Sequence, residues 1–238
     1  GLFIGTSPAQ SGNPFQRVGR ELAEARSRAE NTYKYVVVSP MLPTSSSHAA
    51  GDNNRWLPVK PGSDLALAMG LIRWIIDNER YDKQFLTQPG PAAMAAVGEA
   101  SWSNATHLLI NEPQHPRFGQ FLRGADIGLP MPEPVDDKTP ADDVYVVQLA
   151  DGTLAAHTVA TPAELIVERS FTPIKAADTT EDPAPLAVCS AFVKLRAEAH
   201  KKTLAEYAAL CDVPVKEIED LAREFTSHGK QAVANSHG

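Results

Sequence analysis

Four consecutive residues, Tyr35-Val36-Val37-Val38, constrain this chain more than any other stretch. The run has no polar alternation to offer water, so it suits a strand covered on both faces, as strands of parallel sheets are. Its surroundings agree. Leu2-Phe3-Ile4 is a short apolar run closed by Gly5, and a polar loop follows as far as Asn13. Asn13-Pro14 reads as an N-cap with proline at the first helical position, and Gln16 is placed for a capping-box-like return bond. Phe15, Val18 and Leu22 recur behind that cap at helical spacing. After a Ser-rich loop at 44–47, Trp56-Leu57-Pro58-Val59 reads as extended. Pro61-Gly62-Ser63 then turns the chain into an amphipathic helix, whose predicted apolar face is Leu65, Ala68, Leu71, Ile72, Ile75 and Ile76. Strand and helix alternating at this spacing predict an α/β fold, a parallel sheet wound with helices.

Beyond residue 80 the pattern loosens. A strand is predicted at 107–110, and the Pro- and Asp-rich stretch 130–143 reads as an exposed loop. Segments 144–149 and 153–159 flank Asp151-Gly152, a hairpin signal with suitable turn chemistry, and 165–171 offers another strand. We read 130–172 as a peripheral loop and hairpin insertion in one α/β domain covering 1–238. Residues 188–209 have helix-forming composition, which would put both Cys189 and Cys211 in helices. Pro214 opens a further helix with Ile218, Leu221, Ala222 and Phe225 on one face, and Gly229 sits where a C-cap glycine belongs. The chain starts inside a strand-like run and ends on Ala234-Asn235-Ser236-His237-Gly238, a strand delivering a loop. Both ends predict a piece of a longer chain.

The formal net charge is −7 and Lys and Arg are nowhere concentrated, so nucleic-acid binding lacks its electrostatic footprint. The longest apolar runs are interrupted and too short for a transmembrane helix. Cys189 and Cys211 are the only cysteines and form no Cys-x-x-Cys pair, so this segment alone cannot build a zinc site or an iron–sulfur cluster. Seven scattered histidines show no metal-ligand spacing and are expected mostly at the surface.

In an open α/β sheet, ligands bind at the carboxyl ends of the strands, and three loops fall there. The first holds Gly5, Thr6, Ser7 and Pro8; its small residues permit close backbone approach ahead of a helix N-terminus, the outline of a diphosphate site. It lacks both the G-x-G-x-x-G and the G-x-x-x-x-G-K spacing, so a plain loop before a capped helix fits it as well. A hydrolase elbow is disfavoured, because the helix begins near Pro14 and not directly after Ser7. The second loop is Ser39-Pro40-Met41, where nicotinamide folds carry a ribose-binding carboxylate; a serine there argues against an ordinary NAD enzyme. The third is Lys60-Pro61-Gly62-Ser63-Asp64. Asp64 could accept two hydrogen bonds from adjacent N–H groups of a guanine edge, or merely complement the helix dipole. His237 follows the last predicted strand, as an edge ligand or an exposed loop residue.

Taken together, the loops resemble the third, Rossmann-like domain of the molybdopterin oxidoreductases related to dimethyl sulfoxide reductase. The resemblance runs through Val37-Val38-Ser39-Pro40-Met41, the Ser- and Ala-rich stretch at 44–50, and Tyr81-Asp82. Its most specific part is Trp56-Leu57-Pro58-Val59-Lys60-Pro61-Gly62-Ser63-Asp64-Leu65-Ala66-Leu67, and it resumes over residues 218–225. Gly5-Thr6-Ser7-Pro8-Ala9-Gln10, Ser101-Trp102-Ser103-Asn104-Ala105-Thr106-His107 and Ser236-His237-Gly238 are most similar to the tetrathionate-reducing branch. Ser7, Ser39 and Met41 stand where the wider family has Asn, Asp and Arg.

The resemblance implies a molybdenum ion held by two molybdopterin guanine dinucleotides, one seated largely on this domain. Gly5, Thr6, Ser7 and Pro8 would border the phosphates, Ser39 and Pro40 the guanosine, Gly62 and Asp64 the guanine, with His237 nearby. The molybdenum ligand and the ligands of an iron–sulfur cluster are expected upstream of Gly1. It further implies a twin-arginine leader, a periplasmic location, and as partners a membrane anchor and an iron–sulfur electron-transfer subunit. The implied reaction is two-electron reduction of tetrathionate to thiosulfate in anaerobic respiration, with this chain inactive alone. Relatives acting on polysulfide, thiosulfate or arsenate remain open, as do a non-enzymatic nucleotide-binding module and a structural domain.

Overall fold

The computed structural model describes residues 1–6, 15–28, 30, 33–42, 54–130, 143–173 and 184–236. The chain divides into two compact units: Gly1–Tyr81 with Ala199–Gly238, and Asp82–Glu198.

In the first unit the uninterrupted apolar run is β2 (Tyr35–Val38), paired in parallel with β1 (Leu2–Ile4) and β3 (Asn54–Leu57). On the far side of β1 lies β9 (Ala234–Ser236), also parallel, so the sheet order is β3-β2-β1-β9. Alternate residues of the strands serve opposite layers, as the two-residue side-chain period requires. Leu2, Val38 and Leu57 pack with α2 (Asp64–Asp77), α6 (Leu204–Cys211) and α7 (Val215–Thr226) through Leu67, Leu71, Trp74, Ala208 and Ile218. Phe3, Tyr35 and Val37 face the other way, toward Leu22 of α1 (Phe15–Ser27). A strand buried on both faces therefore accounts for the run without polar alternation.

The helix faces differ in part from the pattern. Leu65, predicted on the apolar face of α2, is 74 % exposed, and the face centres on Leu67, Leu71 and Trp74. Leu65 lies about half a turn round the helix from Leu67 and Trp74, so it faces away from the core that they fill. Gly229 is not the cap of α7: that helix ends at Ser227, and Gly229 starts a separate 3₁₀ turn. Asn13 and Pro14, and the side chains of Phe15, Gln16 and Val18, lie outside the described residues.

The second unit is built around an antiparallel sheet, β4 (Leu108–Ile110), β8 (Leu186–Ser190) and β7 (Glu168–Phe171), in the order β4-β8-β7. The predicted hairpin is β5 (Val146–Gln148) with β6 (Leu154–Ala156), closed through Asp151, whose carboxylate accepts from the Thr153 amide at 2.9 Å. Short helices α3 (Lys83–Leu86) and α4 (Pro91–Ala96) precede the sheet, and α5 (Ala191–Ala199) follows it. Leu108, Ile110, Leu122, Val146, Val167 and Val188 form a core of its own. The hairpin expected as a peripheral insertion into a single 1–238 domain thus belongs to a unit with its own core. Cys189 is corrected from helix to strand β8: a short apolar run reads the same in either state, and the β4 and β7 partners decide it. Cys189 and Cys211 are both free and buried, and burial raises the pKa of each thiol. Among the described residues, no helix is long and apolar enough to cross a membrane.

Candidate functional site at the carboxyl edge

Register places the ends of the parallel strands side by side. Ile4 pairs with Val38 and with Ser236, and Val38 pairs with Leu57. The ladder runs one residue further: the Gly5 amide donates to the Val38 carbonyl at 3.0 Å, and the Ser39 amide to the Leu57 carbonyl at 3.2 Å. From β1 the chain proceeds through β2 to β3 on one side, whereas β9 lies on the other. The switch point of this doubly wound order is therefore the crevice between β1 and β9.

The Gly5 turn borders that crevice with φ of 62°, a left-handed conformation that a side chain would strain. Thr6 follows it and is buried. Ser39 is half-buried and Pro40 exposed at the neighbouring strand end. Past β3, the Ser63 amide donates to the Lys60 carbonyl at 3.1 Å across Pro61 and Gly62. Proline second and a left-handed glycine third (φ 75°) are the signature of a type II turn. Among the described residues a Cβ on Gly62 would meet nothing within 4 Å, so glycine is needed there for its backbone angle. The Lys60 amide donates to the Cys211 carbonyl at 3.0 Å, which ties the turn to the end of α6.

Asp64 begins α2 directly after this turn and is half-buried. Among the described residues its carboxylate has neither an ion-pair nor a hydrogen-bond partner. Ser63, the N-cap, turns its hydroxyl to the Lys60 carbonyl at 2.5 Å and leaves the helix start without a side-chain cap. Gly5, Thr6, Ser39 and Pro40 are thus brought together on adjacent strand ends, with Gly62 and Asp64 following the third. Ser7, Pro8 and His237 lie outside the described residues; Ser236, which precedes His237, closes β9 beside Ile4. A residue that sequence reasoning passed over as part of a motif also belongs here: the Trp56 indole donates from Nε1 to the Ser39 carbonyl at 2.8 Å.

A cavity of about 220 Å³ in the same unit lies at the opposite, amino edge, lined by Tyr33, Lys34, Glu224 and Phe225 among others, and touches none of these loops. Among the described residues no group of His, Cys, Asp or Glu side chains could hold a metal ion. The histidines depart from expectation in the second unit. His107 is 2 % exposed and lies between Trp102 and Tyr145, stacked on both rings at centroid distances of 6.0 and 5.6 Å. Its Nε2 donates to the Pro89 carbonyl at 2.9 Å, and His157 packs edge-on at 5.2 Å. Burial lowers the pKa of both imidazoles.

A parallel sheet wound on both faces, with two left-handed glycine turns at its carboxyl edge, defines the class: a doubly wound α/β unit, the architecture in which ligands bind at that edge. No protein-family model matches the chain. It is 45 % identical over 237 residues, its whole length, to a tetrathionate reductase subunit of Salmonella typhimurium. It is 36 % identical over 204 residues to a selenate reductase subunit of Mesobacillus selenatarsenatis. A tetrathionate reductase subunit of Archaeoglobus fulgidus is 30 % identical over 83 % of the chain. The chain belongs to the dimethyl sulfoxide reductase family of molybdopterin enzymes. It spans 21 % of the Salmonella protein and 17 % of the selenate reductase polypeptide.

Proposed function

We propose that the first unit seats one guanine dinucleotide of the molybdenum cofactor within the catalytic subunit of a tetrathionate reductase. The observation that carries this reading is the Asp64 carboxylate, without a partner among the described residues, at the start of α2, beyond the edge that also presents Gly5 and Ser39. The donor set fits the group. A carboxylate with no partner among the described residues can accept from two adjacent N–H groups of guanine, a paired, charge-assisted contact. Among the described residues nothing crowds Gly62, and the left-handed turn at Gly5, with Thr6, Ser7 and Pro8 next in sequence, is a small-residue segment of the kind that lets a diphosphate approach. In this reading Ser39 and Pro40 contact the guanosine, and His237 follows β9 in sequence.

When bound, the cofactor supplies the two-electron chemistry, and these residues bind and orient it. The likeness to tetrathionate reductase over the whole of this chain supports tetrathionate as the acceptor, and the selenate reductase relative favours selenate as the second reading. In this reading the molybdenum ligand and an iron–sulfur cluster belong to other parts of the catalytic subunit. Electrons arrive from an iron–sulfur subunit with a membrane anchor, in the periplasm, after twin-arginine export.

Replacing Asp64 by Ala in the full-length enzyme should remove most of the bound molybdenum and guanine nucleotide, measured per mole of purified protein. Wild-type loading would reject the assignment. Assays of the intact wild-type complex with tetrathionate, selenate, polysulfide, thiosulfate and arsenate separate the acceptors.

A further inference from the structure

We propose that Trp56 is a positioning residue that holds the Ser39 turn ready for the nucleoside end of the dinucleotide; this rests on the guanine-dinucleotide reading above. Trp56 lies in β3, an edge strand, in register with Val37. Paired residues of neighbouring strands stand on the same face, so the indole sits on the side of Val37, away from the core that takes Leu57 and Val59. It is 40 % exposed, and its position therefore does not follow from core packing alone. Its one polar atom is used: Nε1 donates to the Ser39 carbonyl at 2.8 Å.

The next residue of the same strand, Leu57, accepts from the Ser39 amide at 3.2 Å. Both peptide groups of Ser39 are thus fixed by two consecutive residues of β3. Pro40 then ends the ladder, since it has no N–H, and restricts Ser39 to extended backbone. Beyond it Met41 is 79 % and Leu42 45 % exposed, so neither side chain is held in the core as the chain leaves the sheet.

The chemistry explains why such an anchor matters. A serine hydroxyl makes a weaker contact with a ribose than a carboxylate, which can accept two charge-assisted bonds. A weak contact contributes most when its loop is ordered beforehand, because ordering on binding would otherwise subtract from affinity. The indole N–H does that ordering.

The test uses the full-length reductase with Trp56→Phe, which keeps a ring and removes the N–H, Ser39→Ala, and the double variant. The readouts are the first-order rate at which molybdenum and guanine nucleotide are lost together on warming, and the thermal midpoint of the cofactor-free protein. Loss of one hydrogen bond of ordinary net strength predicts release about fivefold faster in Trp56→Phe. The double variant should release no faster than the faster single variant, because the indole acts through Ser39, and the cofactor-free midpoint should match the wild type. Wild-type release, additive effects, or faster release that merely follows a lowered cofactor-free midpoint would each overturn the inference. Asp64→Ala is the reference: normal loading there removes the dinucleotide reading itself, whereas a depleted Asp64→Ala beside a wild-type Trp56→Phe removes only the role of Trp56.

Discussion

His107 and His157 carry the clearest acid–base consequence of the structure. Burial holds both folded-state pKa values below the ordinary imidazole value of 6.5. As pH falls below that value the unfolded chain takes up protons first, so it binds more protons than the native state. Stability from these two rings is fully present above about pH 6.5 and declines as pH drops toward their folded-state values. His157 adds a structural reason, because its Nδ1 accepts from the Tyr145 amide at 3.2 Å and cannot do so once protonated. Thermal unfolding of the chain should therefore show a midpoint falling between pH 7 and pH 5, partly flattened in His157→Gln, which removes the proton site while keeping an acceptor. A midpoint independent of pH across that window would contradict the assignment. Nothing local in the sequence announces this cluster: Trp102, His107, Phe121, Tyr145 and His157 are spread over 56 positions and meet only through the strand pairings.

Elements were legible to the degree that local signals and tertiary partners agree. β2 and α2 declare themselves through an unbroken apolar run and a helical stripe, and both appear where expected. Asp151-Gly152 closes its hairpin as its turn chemistry implies. β8 was hidden because its five residues carry no periodicity that separates strand from helix. Leu65 is exposed for a different reason: apolar residues occur on most sides of α2, and the pattern alone does not reveal which side meets the core. α6 has a signature that could have been read: Thr203 accepts from the Glu206 amide at 3.2 Å, and Glu206 accepts from the Thr203 amide at 2.7 Å, a reciprocal capping box. Thr203→Ala should lower stability by about 1 kcal/mol in urea unfolding. An unchanged midpoint and slope would show that the box contributes nothing beyond packing.

At the scale of the molecule, the proposed nucleotide site depends on a sheet whose strands come from distant parts of the chain. β9 joins β1 more than 200 positions away in sequence, and this pairing creates the switch point. Its return is prepared by contacts of the same unit: His200 meets Asp77 at 2.7 Å, and Arg73 donates to the Lys202 carbonyl at 2.5 Å. The sequence carries the three loops, but only the register shows that Gly5 and Ser39 occupy neighbouring strand ends with the Asp64 turn next in line. The most direct measurement is an experimental density map of the full-length, cofactor-loaded reductase. The guanine should lie within hydrogen-bond distance of Asp64, with the diphosphate against the Gly5 turn. A nucleotide found elsewhere, for instance at the amino edge beside Tyr33, Lys34 and Phe225, would contradict the account.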